Sequence, residues 1–170
     1  MCVDVGWVRC MKKLLCALVV VVACALLWTP GWTQAKDLEA LQKQDLDRLL
    51  EKNKGKVVML NFFATWCPPC RAEIPELVKA NAKYGNKNVV ILGLSVDDPK
   101  AKATVEKFLA QMQVPYPVYL AGRDLIAAYS VGSIPHNVFY DKAGNMIISQ
   151  PGECDFEDFK LVVEELLHDN

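Results

Sequence analysis

Cys67 and Cys70 stand with two residues between them in Trp66-Cys67-Pro68-Pro69-Cys70, between an apolar run and a helical pattern. Two thiols at that spacing at a helix start can close a disulfide with little backbone movement. The chemistry this permits is reversible dithiol–disulfide exchange. Cys67, at the helix N-terminus, is expected to present its sulfur to partners and to attack. Cys70, one turn in and more covered, is expected to resolve. Bringing a free thiol from about 8.5 to about 7 takes roughly 2 kcal/mol of differential stabilisation. A helix terminus supplies roughly 0.3–1 kcal/mol, approaching 2 when partly buried. Pro68 and Pro69 carry no backbone N–H, so two donors to the thiolate are missing. A moderately acidified Cys67 and a reducing rather than strongly oxidising pair are expected, because a less stabilised thiolate makes the disulfide relatively easier to reach.

The same two cysteines would also make half of a zinc site. A second ligand pair is then needed, and Cys154, His136 and His168 offer none in paired spacing. Glu73 follows Cys70 by three residues and so lies about one helical turn away. A carboxylate there can pass protons to and from Cys70 if partly buried, but spacing alone favours a solvated helix-face glutamate. Ser133-Ile134-Pro135 precedes a strand. Its proline suits a cis bond facing the dithiol or an ordinary loop, and X-Pro bonds are cis in only about 5–6% of cases.

The elements that must position these residues follow from periodicity. Leu38, Leu41, Leu46, Leu49 and Leu50 predict a helix over 37–53, ended near Gly55. Lys56 to Phe63 and Asn88 to Val96 read as strands buried on both faces. Pro68 to Tyr84 reads as a helix, with Pro75 inside it, where a kink is expected. Lys100 to Met112 reads as another helix, Pro117 to Leu120 as a short strand and Arg123 to Tyr129 as a short helix. His136 to Tyr140 and Met146 to Ser149 flank Asp141-Lys142-Ala143-Gly144, a hairpin with a type I turn. Asp155 caps a closing amphipathic helix that reaches Leu167. Alternating units demand parallel pairing and the late hairpin antiparallel pairing, so the fold class is α/β, a central mixed sheet with helices on both faces.

Met11-Lys12-Lys13 followed by the uncharged stretch Leu14 to Leu27 has the form of an export signal. Three fates fit: cleavage before Lys36, acylation at Cys24, or retention of Leu14 to Trp32 as a membrane anchor. Residues 1–35 are therefore assigned to a signal peptide or anchor and 36–170 to one domain. That domain carries 16 basic and 19 acidic side chains, net −3. The balance speaks against a nucleic-acid partner. Its aliphatic content excludes disorder, and no repeat period is visible. Three cysteines, Cys67, Cys70 and Cys154, are too few for a disulfide-dense scaffold.

Lys56 to Arg71, Glu73 to Leu77, Val131 to Pro135 and Asp141 to Gly144 together resemble the thioredoxin superfamily, in its exported TlpA/ResA-like branch of thiol-disulfide oxidoreductases. The resemblance covers about residues 37 to 168. It implies a thioredoxin-like three-layer fold, with Asp97 to Leu120 as the extra helix and strand that this branch inserts. It also implies Cys67 and Cys70 as the redox pair, Pro135 as the substrate-guiding cis-proline, and Trp66, Pro68 and Ile134 as its neighbours in substrate binding. Glu73 matches the acidic residue beside the resolving cysteine, and Pro75 matches the kinking proline. Asn61 stands where plain thioredoxin has a buried Asp, so proton handling passes to Glu73. His136 departs from the usual Thr, and an imidazole there would stabilise a thiolate or ligate copper. Cys154 has no counterpart in the branch and is read as a small buried hydrophobe, with a third redox thiol as the alternative.

The expected activity is reduction of protein disulfides in a bacterial periplasm by a monomer that needs no cofactor or metal beyond its own disulfide. By resemblance, apocytochrome c is an expected substrate, with a transmembrane thiol protein as electron donor. Two alternatives stay open. One is a thiol peroxidase, for which Ala64-Thr65-Trp66-Cys67 lacks the usual proline and threonine context. The other is a copper chaperone using Cys67, Cys70 and His136, since soft thiolates suit Cu(I).

Overall fold

The computed structural model describes residues 38–85 and 87–168. The export-signal reading therefore lies outside the described residues. Six strands, β1 (Ala40–Leu41), β2 (Val57–Phe63), β3 (Val89–Ser95), β4 (Val118–Ala121), β5 (His136–Tyr140) and β6 (Met146–Pro151), form one sheet in the order β1-β4-β3-β2-β5-β6. The strands β1 to β4 pair parallel, while β5 runs antiparallel to both β2 and β6. Five helices, α1 (Lys43–Lys52), α2 (Pro68–Tyr84), α3 (Lys102–Gln111), α4 (Arg123–Ala128) and α5 (Phe156–His168), connect and cover it. This is the thioredoxin-like α/β fold that the sequence predicts.

Strand alternation divides the core between two layers. Val57 and Met59 of β2 pack with Leu77 and Ala80 of α2 and with Phe159 and Val163 of α5. Val58, Leu60 and Phe62 face the other way, onto Leu46 of α1 and Leu125 of α4. Every residue of β2 is buried, Asn61 included, as its mostly apolar run predicts. Asp155 accepts from the Asp158 backbone N–H at 2.9 Å and so caps α5. Gly144 closes the hairpin turn at φ +88°, with its N–H on the Asp141 carbonyl at 3.1 Å.

The first element differs from the prediction. Residues 38–41 do not join α1 but run extended, with Ala40 opposite Leu120 and Leu41 opposite Ala121. Leu38 packs against Val105 and Leu120, and Leu41 against the α1/α4 layer. Two leucines three residues apart satisfy a helical period, but here an edge pairing buries both, and tertiary context overrides the local pattern. The helix begins only at Lys43, whose backbone N–H donates to Asp124 of α4 at 2.8 Å. Among the described residues no helix is long and apolar enough to cross a membrane.

Candidate active site

The dithiol sits where β2 hands over to α2. Cys67 is the N-cap of α2, and Pro68 and Pro69 fill the first two helical positions. Proline suits that start because its φ is already helical and its missing N–H would have no helical partner. The first N–H left to the helix is that of Cys70, and it donates to Cys67 Sγ at 3.2 Å. The two cysteines are joined in a disulfide, their Cα atoms 5.3 Å apart. Cys70 is fully buried, whereas Cys67 keeps 3% exposure. The order of access is the one expected, but the sulfur of Cys67 is far less open than the sequence suggests. The Ile134 carbonyl oxygen lies 3.7 Å from Cys67 Sγ, and the Ile134–Pro135 bond is cis. Phe63, Ile74 and Phe108 of α3 close the inner side. What the site presents to solvent is Trp66, 67% exposed. Beside it runs a groove of about 280 Å³ lined by Val96, Ile126, Val131 and Ile134.

The loop that carries Trp66 and Cys67 is held by Asp97, a residue that sequence reasoning passes over. Its buried carboxylate accepts from the Thr65 backbone N–H at 2.9 Å, the Thr65 hydroxyl at 2.7 Å and the Ser95 hydroxyl at 2.8 Å. Arg71 adds a second hold, donating to the Thr65 carbonyl at 3.2 Å from over the Phe108 ring. Asp97→Ala leaves three donors without their acceptor and is expected to cost about 2 kcal/mol. A lower urea midpoint at unchanged slope checks this, and slower reaction of reduced Cys67 with a disulfide is expected with it.

Glu73 is buried, 2% exposed, on the side of α2 that faces the sheet. Asn61 donates to its Oε2 at 2.7 Å. Asn137 and the Cys154 backbone N–H donate to its Oε1 at 2.6 and 2.8 Å. Burial holds the carboxyl above the usual glutamate range, and these three donors oppose that rise. The solvated alternative for Glu73 is thereby removed. Asn61 and Asn137 stand opposite each other across β2 and β5, so the sheet register delivers both amides to one carboxylate. Asn137 also escapes sequence reasoning, since an asparagine within a predicted strand carries no signal of its own.

The sequence profile of the AhpC/TSA family matches residues 31–148. The chain belongs to that family. Its sequence is 37% identical over 105 residues to a thiol-disulfide oxidoreductase ResA of Bacillus cereus, covering 61% of this chain and 60% of the relative's length. It is 32% identical over 133 residues to the ResA of Geobacillus thermodenitrificans, covering 78% and 75%. Among solved structures, the thiol:disulfide interchange protein of the thioredoxin family from Chlorobium tepidum TLS superposes with a TM-score of 0.64 at 31% identity, over 69% of this chain and 83% of that one.

In this AhpC/TSA chain the residues singled out in the sequence fall into three groups. Trp66, Cys67, Pro68, Cys70, Ile134 and Pro135 gather at one end of the sheet, around the disulfide. Glu73 lies a turn along α2, within the amide network. His136 belongs to neither group. It pairs in register with Phe62, not with Asn61. Its ring stands edge-on to Phe62, and Nε2 lies 2.9 Å from the Ser149 hydroxyl. It therefore occupies the opposite face of the sheet from Asn61 and Glu73, and burial lowers its pKa. Among the described residues no three His, Cys, Asp or Glu side chains cluster as metal ligands. Cys154 is a buried free thiol in the α2/α5 core layer. Burial, with the nearby Glu73 carboxylate, pushes its pKa up to about 12. That places it as a packing residue, as expected, and unsuited to act as a thiolate.

Proposed function

We propose that this chain is an exported thiol-disulfide oxidoreductase that reduces protein disulfides through Cys67 and Cys70. The observation that carries the reading is the disulfide closing at the N-terminus of α2, with the Ile134 carbonyl oxygen 3.7 Å from Cys67 Sγ. The names of its relatives, thiol-disulfide oxidoreductase and thiol:disulfide interchange protein, support the exchange chemistry. In the reduced protein, the Cys67 thiolate attacks one sulfur of a target disulfide. A bond forms between Cys67 and that sulfur, and the other target sulfur leaves as a thiolate and takes up a proton. Cys70 then gives its proton to Glu73 and attacks Cys67 Sγ. The bond from Cys67 to the target breaks, and the second target sulfur leaves as a thiolate that takes up a proton, while Glu73 gives up the one it received. The target gains two electrons, and the chain ends with Cys67 and Cys70 joined. A dithiol donor returns the pair to the reduced state by the reverse exchange. The cycle runs on the two sulfurs and needs no added cofactor.

Trp66, Pro68, Ile134 and Pro135 would receive the target chain, with the apolar groove beside Trp66 taking a neighbouring side chain. The reducing direction is supported by the prolines after Cys67, which leave the Cys70 N–H as its backbone donor. The signal-like residues 1–35 support a place outside the cytoplasm, in the periplasm, with tethering if they are kept or acylated. There a disulfide of apocytochrome c is a fitting target, and a transmembrane thiol protein a fitting donor. One experiment tests the activity. After reduction with dithiothreitol, iodoacetamide added with denaturant should label both Cys67 and Cys70, and after re-oxidation neither. Persistent labelling of both would remove the basis of the proposal. A reduction potential near the roughly −120 mV of strong periplasmic oxidants would reverse the assigned direction.

A further inference from the structure

Asn137 joins parts of the site that are distant in sequence. An amide side chain offers two N–H donors and one carbonyl acceptor. Asn137 uses all three. One N–H goes to Glu73 Oε1 at 2.6 Å, and the other to the Gly152 carbonyl at 3.0 Å. Its Oδ1 accepts from Asn61 Nδ2 at 2.8 Å. That last bond decides how Asn61 is turned. With one Asn61 N–H on Asn137, the other reaches Glu73 Oε2 at 2.7 Å. Turning Asn61 over would set its oxygen against two other oxygens. The orientation is kept although it leaves Asn61 Oδ1 buried without a protein partner, an arrangement that ordinarily carries a cost. Gly152 in turn donates its N–H to the carbonyl of Pro135 at 2.9 Å. One amide thus connects the carboxylate, the second asparagine and the strand end that holds the cis-proline.

We propose that Asn137 is a positioning residue for the resolving step: by fixing Asn61 and anchoring on Gly152, it makes both amides donors to Glu73 and holds that carboxylate ready for the Cys70 proton. The inference rests on the Cys67/Cys70 exchange proposed above. In the step concerned, the proton passes from Cys70 to Glu73 and the Cys70 electron pair forms the bond to Cys67. The electron pair of the broken Cys67–target bond leaves on the target sulfur. An ionised Glu73 is required, and three donors with no facing acceptor favour that form. The other titratable groups around Glu73 are Tyr116, before β4, and Glu153 and Cys154, after β6. Tyr116 and Cys154 have pKa values pushed up and stay neutral near pH 7, while Glu153 adds repulsion that raises the Glu73 pKa.

The test uses 5,5′-dithiobis(2-nitrobenzoate) with the reduced protein in stopped flow. Attack by Cys67 releases one thionitrobenzoate, and resolution by Cys70 releases the second. In Asn137→Leu the first release should stay within about twofold, while the second slows about tenfold at pH 7 and its pH midpoint rises by about one unit. In a Glu73→Gln background the same substitution should change the second release by less than about twofold, because an effect exerted through Glu73 disappears with it. An unmoved midpoint, or equal slowing in both backgrounds, would overturn the proposal while leaving dithiol exchange intact. Asn137→Ser, too short to span Glu73 and Gly152, carries the same two readings should leucine prevent folding. Absence of a second release from the wild-type protein would overturn both this inference and the exchange beneath it.

Discussion

Cys67→Ser is expected to abolish reduction of protein disulfides, a loss of at least about three orders of magnitude, because the thiolate is the nucleophile and a serine hydroxyl stays protonated at neutral pH. Cys70→Ser should fail differently. Cys67 remains at the N-cap of α2, and the residue 70 backbone N–H that donates to its sulfur is unchanged by the substitution. Attack on a target therefore continues, but nothing resolves the product, and a mixed disulfide through Cys67 accumulates. Non-reducing electrophoresis after mixing with a disulfide-bonded protein separates the two cases: no adduct with Cys67→Ser, and a dithiothreitol-sensitive adduct with Cys70→Ser. Equal behaviour of the two variants would contradict the division of labour read from the place of Cys67 at the N-cap of α2 and of Cys70 within its first turn.

The second large effect belongs to Glu73. Burial sets its pKa above the ordinary value of 4.5, and the Asn137, Cys154 and Asn61 donors do not cancel that rise. A carboxyl that binds its proton more tightly folded than unfolded makes the fold less stable as pH rises. The contribution is absent below the unfolded pKa, where both states are protonated. It grows as pH climbs from about 4.5 through the folded value, and then levels off. Glu73→Gln should remove this slope and gain stability relative to wild type towards neutral pH. The same variant has no acceptor for the Cys70 proton, so the resolving step should slow by about a hundredfold. Urea midpoints between pH 4 and 8, set beside single-turnover rates, check both halves. A glutamine variant that keeps the wild-type slope and rate would show Glu73 to be a passive core residue.

Much of this site can be read from residue order because its parts are local. The CPPC segment, the strand just before it and the helix after it follow closely in the chain, and a cysteine followed by two prolines at a helix start states its own geometry. Asp155 and Gly144 are legible for the same reason, since a cap and a turn act within a few residues. What escapes is what the sheet register brings together. Asn137 lies 64 residues from Glu73 and 76 from Asn61, and only the β2–β5 pairing makes them neighbours. His136, one residue earlier, is turned to the opposite face by the same alternation, so its position after the proline misleads. Asp97 reaches Thr65 across 32 residues, and Asp124 reaches the start of α1 across 81. The two-residue β1 is too short to show a period and exists because β4 is there to pair with it.

Trp66 is the single tryptophan among the described residues, and it is the immediate neighbour of Cys67. A disulfide is an efficient contact quencher of indole emission, and a pair of thiols is a weaker one. Opening and closing of the sulfur–sulfur bond is thereby converted into a brightness change at one solvent-facing chromophore. A shortened protein beginning at Lys36, which lacks Trp7, Trp28 and Trp32, would report its own oxidation state optically, in real time and without any attached dye.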